Sequence, residues 1–475
     1  MTYESGIHII VNHNQFINYK TKKTRRKEMK KFMKITVALI LILSLGILSA
    51  CGNNQGEVEE PEVSDENDVN QTDDESGDDP EDANVEGEYI VFWSLLGGGD
   101  GEILESMIEE YNSTNPTFPV RHYVQDWGEY YNGLIFATLA GDAPDVAIAH
   151  ATRLLQLSDQ QVIQPLETIA GYDMIDWDNF VPRAQEKVTV EGVPYAVPFD
   201  FHSFLLYFNP EILLEAGVIS EGDELPVIND FDDFTGILEQ VQQLEDDITP
   251  LALQTSGDVP YRVWFNFYAQ MGGTPLLSDD GNTVTMDDDI AAEAMDALLS
   301  LYNNDLAGVV NNQWEDFRAG RSAFIISFTS DVAAFYGALD GNMNVMAMPT
   351  FFDENKVFAD SHAFAFPVQP GRSPEKEVGI MEFIDWMVNS GRWMETGHLA
   401  TTQSVLDSPE YNALPFVENY KDSVNHLVFL SGSRNSWIMN PPQTVENVEF
   451  IIMNRDSITG EEAARMIREG LEADK

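Results

Sequence analysis

Tyr89-Ile90-Val91-Phe92-Trp93 opens the stretch that decides the fold. It is a short apolar, β-prone run and reads as a buried strand. Ser94 to Gly101 follows as a glycine-rich turn. Beyond it Ile103, Leu104, Met107, Ile108 and Tyr111 recur at helical spacing until Asn115-Pro116 ends the pattern. Val120 to Val124 gives a second strand. A strand, a helix and a second strand in this order predict a βαβ unit with a right-handed crossover and a parallel sheet. A second helix is expected from Trp127 to Ala140, stopped by Gly141, and a third strand at Pro144–Ala149. Strand and helix keep alternating, so the first part of the chain is α/β.

Downstream, Val188–Tyr195 reads as a hairpin around Glu191-Gly192, and Phe201–Phe208 as an apolar strand running into Asn209-Pro210. Helices fit 232–245, 260–271, 287–303, 376–390 and 459–471. Strands fit 248–253, 322–328, 343–348 and 362–368. There is no internal repeat. The body 89–475 is too long for one core and suits two lobes.

The N-terminal region reads differently. Lys30, Lys31 and Lys34 precede an apolar run, Ile35 to Leu48, that ends Leu48-Ser49-Ala50-Cys51. A basic start, a short apolar core and small residues at the end make a secretory signal. The run is too short to span a bilayer comfortably, since a span needs about 20 residues. The final four residues resemble a bacterial lipobox, in which the cysteine is acylated, and the resemblance implies a lipid anchor at Cys51. Met29 or Met33 would make a better start than Met1, so residues 1–50 are expected to hold a signal peptide behind an over-extended N-terminus. Cys51 is the only cysteine, which leaves no thiol for disulfides, metal or catalysis. Residues 52–88 hold sixteen acidic residues and no Lys or Arg. Such a segment buries too little apolar surface to fold, and like charges extend it. It reads as an acidic disordered linker from the lipid to the body.

The chain carries 80 Asp+Glu against 26 Lys+Arg. The body alone holds 62 acids and 17 bases. That surface repels phosphate backbones, so nucleic-acid binding is disfavoured, and anionic ligands with it. Adaptation to a saline or alkaline exterior accounts for the acidity, because salt screens the self-repulsion.

Several segments together resemble the extracellular solute-binding proteins of sugar ABC importers, the maltose-binding-protein-like receptors. Ile90-Val91-Phe92-Trp93 with its glycine turn and the helix ending Tyr111-Asn112 is similar to their first βα unit. Gly141-Asp142-Ala143-Pro144-Asp145-Val146 is similar to their G-x-x-P-D-[VI] signature. Tyr195-Ala196-Val197-Pro198 followed by Leu205-Leu206-Tyr207-Phe208-Asn209 resembles their first crossing between lobes. Pro260-Tyr261, Trp264 and Gly272-Gly273 match another segment. Phe317 and Gly320-Arg321-Ser322-Ala323-Phe324 resemble the F-x-x-G-x-A-A-M strand, with Phe324 in place of the usual Met and Phe328 in place of a Trp.

The resemblance spans essentially all of 89–475. It implies a two-lobed, periplasmic-binding-protein-like fold with crossing hinge strands: 89–203 with 358–400 as the first α/β lobe, and 204–357 with 401–475 as the second. Crossings are expected near 201–205, 355–360 and 399–402. It also implies a lipid-anchored receptor on the extracellular face of the membrane, working as a monomer. Such a receptor captures a carbohydrate, an oligosaccharide by expectation, in a cleft that closes on it, and hands it to ABC permease subunits. It needs no catalysis and no cofactor.

A sugar presents hydroxyls at its rim and C–H faces above and below, so it needs aromatic platforms and short polar groups. By position at strand ends or by family segment, the candidates are Asp126, Trp127, His150, Asp200, His202, Tyr261, Trp264, Phe328, His362 and Trp437. Each also has a plain structural reading, as core packing, a cap or a satisfied buried histidine. The Gly97–Gly101 turn lacks the Gly-Lys-Ser/Thr ending of a phosphate loop. No H-E-x-x-H or tight histidine spacing signals a metal. Asp287-Asp288-Asp289 suits a helix N-terminus better than a calcium loop. Two other readings stand beside the sugar receptor: a secreted glycoside hydrolase or lyase using paired carboxylates, and the same binding fold with a polyamine or other cationic cargo.

Overall fold

The computed structural model describes residues 88–222, 225–244, 248–308, 312–432 and 442–475. The expected signal peptide, Cys51, the expected linker through residue 87 and Trp437 lie outside the described residues. Among the described residues no helix is long and apolar enough to cross a membrane.

Fifteen strands build two main sheets and one hairpin among the described residues. The N-terminal part contributes β1 (Ile90–Ser94), β2 (Val120–Val124) and β3 (Val146–His150). The hairpin β4 (Thr189–Val190) and β5 (Val193–Pro194) turns through Glu191 and Gly192, both at positive φ. Then come β6 (Ala196–Pro198), β7 (Asp200–Phe208), β8 (Thr249–Ala252), β9 (Ala307–Gly308), β10 (Ser322–Phe328) and β11 (Asn344–Ala347). The last four are β12 (Val357–Asp360), β13 (His362–Ala365), β14 (Leu399–Ala400) and β15 (Leu427–Val428).

The first sheet has the order β2-β1-β3-β13-β6. β1 lies parallel to β2 and to β3, as the βαβ reading requires. Helix Gly98–Ser113 makes the crossover and buries Leu104, Met107, Ile108 and Tyr111. The sheet is nevertheless mixed: β13 runs antiparallel to both β3 and β6, because β6 and β13 are the segments that leave for, and return from, the second sheet. The second helix starts at Tyr130 rather than at Trp127. Asp126 Oδ1 accepts from the Gly128 and Glu129 amides at 2.9 and 3.2 Å, which holds 126–129 in a turn. Its C-terminal stop is Gly141 at φ 79°.

The second sheet runs β15-β12-β7-β10-β8-β9, with β11 and β14 also paired to β7. All nine residues of β7 are buried. β7 is therefore the spine of the molecule: β14 pairs its first residues, β12 its middle, and β10 and β11 its far half. Helices cover this sheet in a layered stack. Asp258–Gln270 packs on Asp288–Asn303, which packs on the C-terminal helix Gly460–Asp474. Asp287 caps the middle one, accepting from the Asp289 and Ile290 amides.

The chain changes sheet at three places. Only Phe199 separates β6 from β7. Only Ser361 separates β12, on β7, from β13, on β3. β14 then lies on Asp200 and Phe201, and Thr402 bridges to Phe180.

A candidate ligand groove beside a buried histidine cluster

The three changes of sheet bring together side chains far apart in sequence. Asp200 and His202 open β7, and one residue of spacing along the strand sets both on the same face. His362 opens β13 and pairs in register with His150, the last residue of β3. Gly397, at φ 104°, turns the chain into His398; a Cβ there would strike the Thr329 carbonyl.

Asp200 is fully buried and accepts four hydrogen bonds. Oδ2 receives His362 Nδ1 at 2.8 Å and Trp393 Nε1 at 2.6 Å. Oδ1 receives the His362 amide at 3.1 Å and His202 Nδ1 at 3.3 Å. The imidazoles crowd one another: His202 and His362 stack at 4.4 Å between ring centroids, and His150 lies 4.8 Å from His362. His398 sits 5.8 Å from His202 and 5.7 Å from His362. Its Nδ1 is bonded to Thr396 Oγ1 at 2.6 Å, so its Nε2 points inward, 3.8 Å from Asp200 Oδ2 and 3.9 Å from Asp100 Oδ2.

Burial is the largest influence on every group here and by itself would neutralise them all. Asp200 escapes: the His362 charge and hydrogen bonds from His202 and His362 hold it well below the usual carboxylate range. His362 rises above the ordinary histidine value despite burial, because Asp200 holds its proton. The other imidazoles yield. Burial drives His150 well down, His202 down, and His398 to about 3. Burial also raises Asp360, and lifts Asp100 to about 7. The cluster thus holds one ion pair among neutral rings.

Beside it opens a groove of about 580 Å³, within the range of small-molecule sites. One wall is Thr152, Arg183, Lys187 and the β4–β5 hairpin. The other is Phe265, Ala269, Thr274 and the 427–432 segment with Phe429. Lys187 Nζ lies 4.9 Å from the Phe429 ring centroid, across the opening. The groove joins the cluster through Thr152, whose hydroxyl donates to Asp360 Oδ2 at 2.7 Å; Asp360 pairs with His202. A larger cavity of about 680 Å³, lined by Val181, Arg183, Gln403 and Lys421, has no aromatic ring in its walls, so the groove is the better candidate.

His150, Asp200, His202 and His362 meet in the cluster, and Phe328 joins them, 5.9 Å from His202. The four polar residues are buried and Phe328 half-buried, and none of the five lines the groove. Asp126 and Trp127 are exposed in the turn before helix Tyr130–Ala140 and line neither cavity. Tyr261 and Trp264 are fully buried on the far face of helix Asp258–Gln270, where Trp264 Nε1 donates to the Ala291 carbonyl at 3.1 Å. The groove-side face of that helix carries Arg262, over the Phe328 ring at 5.1 Å, and Phe265. Asp100, Arg262, Phe265, Asp360, His398 and Phe429 were not singled out in the sequence. For Arg262 and Phe265 the available signal was helical phase, one residue on from the aromatic pair.

Two α/β units tied by three strand crossings, with a groove walled from both, define a receptor-type binding fold. The chain belongs to the bacterial extracellular solute-binding protein family, whose profile residues 106–419 match. It is 21% identical over 340 residues to the sn-glycerol-3-phosphate-binding periplasmic protein UgpB of Shigella dysenteriae, covering 67% of this chain and 75% of that protein. Among solved structures, UgpB from Mycobacterium tuberculosis in complex with glycerophosphocholine superposes with a TM-score of 0.70 at 17% identity, over 82% of this chain and 98% of that one. The GacH receptor of Streptomyces glaucescens, solved unliganded and with acarbose, gives 0.67 at 18%, over 82% and 100%. At these identities the superpositions show the fold: two-lobed α/β.

Proposed function

We propose that the chain captures a neutral carbohydrate, an oligosaccharide, in the groove beside the histidine cluster and presents it to an ABC importer. The groove lining carries the reading. Two aromatic rings, Phe265 and Phe429, stand among the hydroxyls of Thr152, Thr189, Thr274 and Ser278, and the three cations Arg183, Lys187 and Lys356 are matched by Glu186, Glu191 and Asp279. Rings suit the C–H faces of a sugar and short hydroxyls suit its rim. Balanced charge favours a neutral cargo over a polyamine or a phosphodiester. In this reading 89–203 with 358–400 forms one lobe and 204–357 with 401–475 the other. Phe265, Phe429 and Thr152 touch the cargo, while His150, Asp200, His202, His362 and Phe328 act beneath it through the Thr152–Asp360 bond. An acyl chain on Cys51 tethers the monomer to the outer face of the membrane, and the work is capture without turnover.

A thermal-shift screen of the full chain against oligosaccharides, glycerophosphodiesters and polyamines tests this. A true cargo at a hundred times its Kd adds about 2.7 kcal/mol, a rise of several degrees. Oligosaccharides should give that rise and be recovered intact. A response confined to polyamines or phosphodiesters would overturn the cargo, and cleavage of the sugar would make the protein an enzyme.

A further inference from the structure

We propose that Asp200, His202, His362 and His398 bind one divalent transition-metal ion, with zinc the best fit, that staples the three strand crossings together. One donor atom from each of the four lies within 4.8 Å of all the others, and all four residues are buried. Each sits where the chain changes sheet: Asp200 and His202 at the first crossing, His362 at the second, His398 just before β14 at the third.

The surroundings orient the donors as outer partners of a metal site do. Thr396 Oγ1 holds His398 Nδ1 at 2.6 Å and so aims Nε2 at the centre. Trp393 Nε1 fixes Asp200 Oδ2 at 2.6 Å. His398 Nε2 stands 3.8 Å from Asp200 Oδ2, beyond hydrogen-bond length, which leaves room between them. Three imidazole nitrogens and one carboxylate oxygen suit zinc and its neighbours, whereas magnesium and calcium take oxygen ligands. Tetrahedral zinc with bonds of 2.0–2.1 Å sets its donors about 3.3 Å apart. Binding therefore draws the widest pair inward by about 1.5 Å, pulling the crossings onto one another and stiffening the hinge. Sequence spacing hid the site because its ligands stand at 200, 202, 362 and 398.

The test uses the full chain, stripped with a chelator and titrated with Zn²⁺, Co²⁺, Mg²⁺ or Ca²⁺. One tight zinc per chain is expected, with a raised melting temperature. Cobalt should give the intense visible bands of a four-coordinate site, and magnesium and calcium should give no response. His398→Gln should weaken zinc binding at least 100-fold and abolish the cobalt bands. Thr396→Val should weaken it 10–100-fold by freeing the ring, and His426→Gln should change nothing. Circular dichroism of the metal-free variants confirms folding; if His398→Gln does not fold, His202→Gln carries the same expectation. Absence of saturable one-ion binding, or of the cobalt bands in the unaltered chain, overturns the proposal, as does unaltered affinity in the folded ligand variants.

Discussion

Helix Asp258–Gln270 has two buried, ring-bearing faces one residue out of phase, and they do opposite things. Tyr261, Trp264 and Tyr268 form a stacked ladder, 5.9 and 5.5 Å between successive centroids, facing helix Asp288–Asn303. Arg262, Phe265 and Ala269 face the other way, toward Phe328 and the groove. Both faces repeat at i, i+3 and i+7, and both are buried. Ring content therefore does not tell a stacking platform from a core. The distinguishing mark is a charged group: Arg262 lies on the groove face beside a cluster of carboxylates and imidazoles, while the ladder's hydrogen-bond partners are the Ala291 carbonyl, the Thr274 hydroxyl and the Asp287 amide.

The sharpest break in this comparison is Trp264→Ala. Removing a fully buried indole costs about 3–5 kcal/mol of stability, read as a lower denaturant midpoint. Cargo affinity of the molecules that still fold should be unchanged, because the ring faces away from the groove. A loss of affinity at preserved stability would move the ladder into the binding site and reverse the assignment of the two faces.

Much of the architecture was legible because it follows from periodicity. The βαβ opening, the Glu191-Gly192 hairpin, β10 and the apolar run of β7 all fall where the pattern of apolar residues sets them. His150, Asp200, His202 and His362 were expected at strand ends and crossings as ligand contacts, and the crossings do bring those strand ends together. His398 and Asp100 were not. His398 reaches the cluster through the turn at Gly397, and Asp100 from the first turn of helix Gly98–Ser113, which begins within the glycines that read as a turn. Turns carry no periodic signal. The mixed character of the first sheet was hidden for a related reason: strand direction at β6 and β13 is set by crossings, which are tertiary.

Asp100 separates the two faces by pH. His362, Asp200, Asp331 and His398 face it, and burial lifts its carboxyl from 3.8 to about 7. Below about pH 4 it is protonated folded or unfolded and has no effect. As pH rises toward 7 the unfolded chain releases the proton and the folded one keeps it, so stability falls; above 7 the penalty is constant. Asp100→Asn should therefore stabilise the metal-free protein by about 2–3 kcal/mol at pH 8, after allowing for its residual exposure, and by almost nothing near pH 3.5. Trp264→Ala should cost the same at both. Melting curves at the two pH values check the contrast, and a pH-independent gain from Asp100→Asn would place that carboxyl in water.

Phe429→Ala makes the smallest and most local change. Its ring is partly exposed, in the same groove wall as Phe265, and its charged neighbour across the opening is Lys187. Truncation removes a stacking surface and a cation–π contact, together about 1–2 kcal/mol of cargo binding, or roughly 5–30-fold in Kd. The fold should lose under about 1 kcal/mol, since solvent already reaches the ring. Lys187→Met then isolates the cationic part: a loss of about 0.5–1 kcal/mol in cargo affinity is expected if the ammonium only orients the ring. A larger loss than that of Phe429→Ala would mean that the lysine itself grips the cargo, and with it that the cargo carries negative charge. Calorimetric titration of the two variants side by side decides between these, and so ranks ring against charge on the groove side of the helix.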